Sequence, residues 1–460
     1  MLSDDTGKYV PKNSELYWAI RAYVEAAIAK ARELTTVLGV KPVYKFEAFP
    51  YVEFNAAIQT LPEFEPCLNA IMADEVINSH LGVLIGRATL SRISLEPQIL
   101  MSELPRLGIY RNEISFNEVF FEQEFENFEI GFHEEGLQYE VIAPLLGIQF
   151  EKAFCLDDVE VCLVDAVHLT KPLLKTVNSE ITRFECRWAL RTVYTIPKRI
   201  GDQEFDPIAE KNKEDSIRHA ANEKIDRTVA ILRLLRGETV SAIERIHRTR
   251  NWFFNDLRVH NARFEPETQL SLVTGEEFEK AIRDLWKTIG DGSIAENLKV
   301  AIKRFSYAHE RMDWEDQIID LAIAGEAIFL SPNNKDELTY RLRLNAALFM
   351  GSDKESRSRI FSDFKLAYDL RSRLVHGSDP KDVLKRIRRE VSGQFGDEQR
   401  LAEFTARFRD YIRFALVRMI RLSAAGHGLH TANDWDVLAL GISEWDPDET
   451  LVVGDDDGQR

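Results

Sequence analysis

Between Ile217 and Leu422 one pattern recurs, with apolar residues three and four positions apart. It is carried by DRTVAILRLLR, GEEFEKAIRDLWKTI, NLKVAIKRFSYAHERM, EDQIIDLAIAGEAIFL, ELTYRLRLNAALFM, RIFSDFKLAYDLRSRLVHG and LAEFTARFRDYIRFALVRMIRL. That spacing puts an apolar stripe on each of a series of α-helices, and each stripe must be buried against other helices. Nearly half of the 460 residues are thereby committed to helix-on-helix packing. The rest is more varied. Residues 15–36 predict a helix ending before Gly39, and residues near 66–95 also read as helical. From Tyr139 the texture changes to β-like runs, YEVIAPLLGIQFE, FCLDDVEVCLV and CRWALRTVYTI, with Asp157–Asp158 placed as a hairpin turn. The polar, Pro-punctuated stretch 201–216 predicts a linker. The expected organisation is a mostly helical region 1–138, a β-rich region 139–200, the linker 201–216, a helical domain 217–425 and an acidic tail 426–460. The fold class is mainly α with a smaller β-containing region.

Charge narrows the function. A net charge of −17 argues against indiscriminate nucleic-acid coating. Its distribution is uneven: Arg341–Arg421 holds 19 Lys/Arg and 11 Asp/Glu, a net of +8, so the remainder carries −25. A basic segment inside an acidic chain is what a phosphate-binding surface looks like. The ten Glu of residues 103–140 lie among many Phe and show no recurrent ligand spacing, so they predict a solvated acidic face, not a metal site. The four cysteines (Cys67, Cys155, Cys162, Cys186) stand far apart, which fits a reducing compartment. The first residues carry acids where a signal peptide needs positive charge, and no apolar run is long enough for a membrane span. The expectation is a soluble, cytoplasmic protein.

One segment carries chemistry: YDLRSRLVHG, Tyr368–Gly377. Ile360, Phe364, Ala367, Leu370 and Leu374 form one apolar stripe, and Gly377 with Asp379–Pro380 ends the helix, so His376 stands at a helix C-terminus. On a straight helix Arg371 and His376 are separated by ~140° and ~7.5 Å, whereas Arg373 and His376 share a face. A two-fold dimer apposing two such helices would gather two His and several Arg. The Arg-x4–6-His spacing alone means little, because roughly 2.5 matches arise by chance at this composition. Three occur: Arg304 with His309, Arg371 with His376, and Arg421 with His427. No phosphate-binding loop, nucleophile elbow or H-E-x-x-H helix is present.

The run YDLRSRLVHGSD resembles the signature of the Apea-like HEPN family. AIKRFSYAHERMDWEDQIIDLAIAGEAIFL (301–330) is similar to that family's first core helices, ELTYRLRLNAALFMG (337–351) to the next helix, and DRTVAILRLLRGETV (226–240) to the segment before them. The resemblance spans roughly residues 225–425 and implies a C-terminal HEPN-type antiparallel helical bundle. It also implies a metal-independent endoribonuclease, without cofactor or metal, leaving 2′,3′-cyclic phosphate and 5′-hydroxyl ends. Arg371 matches the motif arginine, Ser372 the polar residue after it and His376 the motif histidine. His376 would move protons at the 2′- and 5′-oxygens, and Arg371 would stabilise charge on the phosphorane. Arg373 is a second phosphate contact or a surface arginine, and Tyr368 stacks a base or packs. Glu326, in the apolar stretch LAIAGEAIFL, needs a partner, and Arg371 or Arg373 is expected to supply it, while Gly325 is expected to loosen its helix.

The expected partners are RNA, with tRNA as the first candidate, a second copy of the chain, and an unknown trigger bound by the N-terminal region. By resemblance the setting is antiviral defence by abortive infection. Two alternatives stand beside this: a non-catalytic HEPN module for dimerisation or nucleotide binding, and a DNA-binding regulator. Residues 434–457 hold nine acids and no base, which predicts a tail shielding the basic surface by imitating phosphate.

Overall fold

The β-like texture after Tyr139 becomes an antiparallel sheet in the computed structural model, and the other described residues are mainly helical. The structure describes residues 9–37, 51–82, 84–85, 88–89, 91, 95–101, 115–163, 188–199, 206–236, 240–242, 244–249, 257–261, 276–290, 292, 294–311, 313–331, 337–377, 385, 388, 396–429 and 431–441. In chain order the first elements are α1 (Ser14–Val37), α2 (Tyr51–Ile58), α3 (Phe64–Ala73), α4 (Glu75–Ser79), β1 (Leu84–Ile85), β2 (Ala88–Thr89), α5 (Pro97–Leu100) and α6 (Glu118–His133). There follow β3 (Gly136–Leu146), β4 (Phe154–Leu156), β5 (Val159–Leu163), β6 (Trp188–Arg199), α7 (Pro207–Arg236), β7 (Ser241–Ala242), β8 (Glu244–Thr249) and β9 (Leu257–Asn261). The last are α8 (Glu276–Gly290), α9 (Glu296–Glu310), α10 (Trp314–Phe329), α11 (Leu338–Met350), α12 (Lys354–Val375), α13 (Asp397–Ala424) and α14 (Ala432–Leu440). The chain divides into two units, Met1–Ile225 with Ala242–Ala262, and Asp226–Ser241 with Arg263–Arg460.

In the first unit the sheet order is β2-β1-β6-β3-β8-β9. β6 pairs with β3 along one edge and with β5 and β1 along the other, so the two longest strands lie at its centre. Asp157–Asp158 closes the β4–β5 hairpin as expected, with Asp157 at φ +50°, a left-handed conformation that Asp tolerates. Beside the sheet a polar chain is fully satisfied. Arg218 donates to Glu214 and to the Tyr194 hydroxyl (2.9 Å), and that hydroxyl is hydrogen-bonded to His247 Nδ1 (3.0 Å). The other ring nitrogen of His247, Nε2, lies 3.2 Å from Asn222 Oδ1. This network cross-links strands and α7.

The structure departs from the sequence expectations at several places. Residues 207–216, expected as linker, are the first turns of α7, because Asp206 caps them by accepting from the backbone of Ile208 and Ala209. Short strands β8 and β9 lie inside the stretch expected to be a helical domain. Residues near 66–95 are helical only as far as Ser79, after which β1 and β2 form. The acids of 103–140 are not merely a solvated face. Glu129 is buried and accepts from the Tyr9 hydroxyl and the backbone of Lys12, and Glu118 pairs with Arg21. Phe121, Phe125, Phe128 and Phe132 line the buried face of α6.

Lys198 supplies a pH test of this unit. It donates to the Phe132 carbonyl (3.0 Å) and lies 3.2 Å from His80 Nε2, which can accept because Nδ1 is engaged with the Val76 carbonyl. Burial lowers its pKa to about 8. An unfolded lysine keeps its proton up to about pH 10.4, so between about pH 8 and 10.4 only the unfolded chain binds it. Lys198 therefore makes unfolding free energy rise with pH across that window and is neutral to the slope below it. Urea unfolding from pH 7 to 10.5 should show the wild type gaining stability relative to Lys198→Met as pH rises from about 8 to 10.4; a difference that does not change with pH would contradict the assignment.

In the second unit α9 and α10 form one helical hairpin and α11 and α12 another, joined by short connections. α10 packs against α9, α11, α12 and α13, so it runs through the middle of the helical array. Its core is aromatic: Phe329 meets Phe349, Phe364 and Trp435, and Phe364 meets Phe408 at 5.0 Å. α14 lies within the stretch expected to be only acidic tail. It carries a Thr431–Asp434 capping box, ends on Gly441 at φ +65°, and buries Trp435 to 3 % exposure.

Candidate functional site

The segment that carries the motif is α12. Asp353 and Ser356 cap its start reciprocally, and Ile360, Phe364, Ala367 and Leu370 bury its apolar stripe. At the other end the backbone N–H of His376 donates to the Ser372 carbonyl and that of Gly377 to Leu374, both at 3.1 Å. Gly377 has φ +76°, so the chain turns left-handed immediately after His376. The His376 side chain is exposed, as is Arg373, while Tyr368, Arg371 and Ser372 are half-buried.

Arg371 is held from α10. Its Nη1 lies 3.1 Å from Glu326 Oε1, the pairing expected for that carboxylate. What brings the helices close enough is Gly325. A Cβ there would stand 3.2 Å from both Phe364 Cε1 and Ile412 Cδ1, so α12 and α13 pack directly on the glycine backbone. α10 continues unbroken through Gly325, and the expected loosening does not occur, because packing holds it. The Arg371–Glu326 contact is ionic without hydrogen-bond alignment: Glu326 Oε1 and Arg371 Nε are buried with no hydrogen-bond partner among the described residues. Burial raises the Glu326 pKa, and the Arg371 charge opposes that rise only in part. The guanidinium is thus attracted to Glu326 but not locked to it.

Of the other two Arg/His matches, Arg304 with His309 serves the fold, whereas Arg421 and His427 are both exposed. Arg304 and Arg311 both bind the buried carboxylate of Asp320, at 2.8 and 3.0 Å. His309 is 3 % exposed, with Nδ1 on the Phe305 carbonyl and its pKa held well below the usual range by burial and by the Arg233 and Arg409 charges. His427 follows the left-handed Gly426 and caps the end of α13 through its backbone.

The basic segment is only partly open. Arg407 is committed to Asp363, Arg388 to Asp397, Arg359 to Glu355, and Arg418 to the Phe349 carbonyl. Arg341 binds Asp436 of α14 at 3.1 Å, so an acidic side chain of the C-terminal region already sits on one of these arginines. Residues 442–460, the rest of the acidic tail, and Asp379–Pro380 lie outside the described residues.

Tyr340 and Arg343 of α11 lie against α12. Tyr340 on α11 is 51 % exposed and meets the Phe361 ring edge-on at 6.0 Å. The Arg343 guanidinium carbon lies 3.8 Å from the same ring's centroid, and its Nε donates to the Phe361 carbonyl. No family model, curated protein or solved structure matches the chain.

Proposed function

We propose that the chain is a metal-independent endoribonuclease of HEPN type, acting as a cytoplasmic homodimer whose N-terminal unit senses a trigger. The observation that carries this is the end of α12. An exposed histidine and an arginine of the same helix, the latter paired with a carboxylate of the neighbouring α10, are held on a packed, capped scaffold. The competing Arg304/His309 pair, by contrast, is absorbed into the fold. An imidazole at a helix end can accept the 2′-hydroxyl proton while the 2′-oxygen bonds to phosphorus, and an imidazolium can return a proton to the departing 5′-oxygen. The bond formed is 2′-O–P, the bond broken is P–O5′, and the ends are a 2′,3′-cyclic phosphate and a 5′-hydroxyl. No oxidant or second reactant is needed.

Arg371 would meet the charge that accumulates on the phosphorane oxygens, and its planar fork suits that task better than a lysine. Its loose tether to Glu326 lets it turn to phosphate without breaking an aligned hydrogen bond. Because Arg371 and His376 stand ~140° apart on their helix, a second copy of α12 completes the site in this reading. Arg373 shares the His376 face and contributes a second phosphate contact.

Glu326 is a positioning residue and can be tested as one. Glu326→Gln should lower kcat for RNA cleavage about 10- to 100-fold, as expected of a displaced catalytic group, with KM little changed. Glu326→Asp should recover part of it. Unchanged kcat in Glu326→Gln would remove the carboxylate from the mechanism. Loss of cleavage in His376→Ala, measured in EDTA, tests the reading as a whole; cleavage that survives favours a non-catalytic HEPN module.

A further inference from the structure

From Phe361 to its end, α12 is patterned on the side away from its buried stripe, not only at the motif. Phe361, Lys365, Tyr368, Ser372 and His376 follow one another at steps of four, three, four and four. On a regular helix all five fall within ~80° of one another, on a line ~22 Å long. The apolar stripe Ile360–Phe364–Ala367–Leu370 occupies the other side and is buried. Lys365 is exposed, and Tyr368 is half-exposed with no ring contact or side-chain hydrogen bond among the described residues. α11 runs antiparallel to α12: Tyr340 and Arg343, in the first half of α11, meet Phe361, and Gly351 meets Arg357 after its end. The start of α11 therefore points toward the motif end of α12. At the far end of the line, Phe361 is covered on one face by Arg343 and flanked by the exposed ring of Tyr340. Burial lowers the pKa of Arg343, and the charge of Asp369 counters that loss.

Rings alternating with cations along a groove are how proteins hold single-stranded nucleic acid, each base finding a flat surface and each phosphate a positive charge. We propose that this line is a track for the single-stranded RNA flanking the cleaved phosphate. Tyr340, Arg343 and Phe361 form a base-stacking platform at its far end, Lys365 meets the backbone, and Tyr368 stacks the base nearest His376. The inference rests on the ribonuclease reading and adds to it a substrate class, unpaired RNA several nucleotides long, held by stacking and therefore tolerant of sequence. The occupant is RNA because the line ends on His376, the histidine of the motif. At a stacked rise of ~3.4 Å per nucleotide it is long enough for several bases.

Binding is measured in the full chain carrying His376→Ala, so that substrate survives, by fluorescence anisotropy with labelled single-stranded oligouridine and oligoadenine and with a duplex of equal length. The parent should prefer the single strands. Adding Tyr340→Ala or Tyr368→Ala should weaken binding about fivefold or more for each ring, and Tyr340→Phe and Tyr368→Phe should retain it. Lys365→Gln should lower the salt dependence, which the aromatic variants leave unchanged. Photo-crosslinks from 4-thiouridine should map to the peptides containing Tyr340, Phe361 or Tyr368. If the parent binds single strands and the alanine variants bind equally well, the track is refuted and the ribonuclease reading survives. If the parent binds no RNA, both fall.

Discussion

Replacing His376 with alanine should lower RNA cleavage by about 10²- to 10⁴-fold, the usual contribution of a positioned general acid or base. The same change should move stability by no more than ~0.5 kcal/mol, because the side chain is exposed past the last turn of α12. Arg371→Lys should also cut kcat, since an ammonium keeps the charge and loses the fork. His309→Ala provides the contrast. That ring is buried among Phe305, Arg233 and Arg409, so its removal should destabilise the second unit and lower activity only through loss of folded protein. Kinetics at equal folded concentration, checked by circular dichroism and urea unfolding, separate the two. Equal cleavage by wild type and His376→Ala would contradict the assignment.

The largest stability effect should come from Trp435→Ala. Trp435 packs on Phe329 (5.7 Å) and Phe349 (5.8 Å), so truncation removes a large buried ring and leaves a cavity between α10, α11 and α14. The expected cost is about 3–5 kcal/mol in urea unfolding of the second unit; a change below ~1 kcal/mol would show that α14 is not docked as described. This also changes how the acidic tail must be tested. Deleting residues 431–460 removes Trp435 with the acids, so it should destabilise as well as expose basic surface. Truncation after Gly441 leaves α14 in place and asks whether the remaining acids shield RNA. Asp436→Asn asks the same of the Arg341 contact, and should raise RNA affinity at low salt if that carboxylate stands where a phosphate would.

Much of the second unit was readable because its helices announce themselves by period. The stripe from Ile360 to Leu370 is buried, and Gly377 takes the left-handed turn its position implied. The Glu326–Arg371 pair could be anticipated since a lone carboxylate in LAIAGEAIFL has few affordable alternatives. Gly325 was misjudged for a physical reason. Helix propensity describes an isolated helix, whereas here the missing side chain lets Phe364 and Ile412 approach. Strands β8 and β9 escaped because five or six residues with charged alternates give little period, and ERIHRT places Ile246, His247 and Arg248 all in buried positions. Residues 207–216 looked like a linker by composition, yet the Asp206 cap and continuity with the apolar end of α7 decide in favour of helix. The contacts of Tyr340 and Arg343 with Phe361 were not readable because they exist only once α11 folds back beside α12.

The central claim is that the end of α12 cleaves RNA without a metal. Purified wild-type and His376→Ala proteins are incubated with total tRNA in EDTA, with and without extract of infected bacteria to supply a trigger, and the fragment ends are mapped. The predicted result is cleavage by wild type only, with 2′,3′-cyclic phosphate on one side of each cut and 5′-hydroxyl on the other. Absence of fragments in both conditions, or identical fragments from the two proteins, would contradict it.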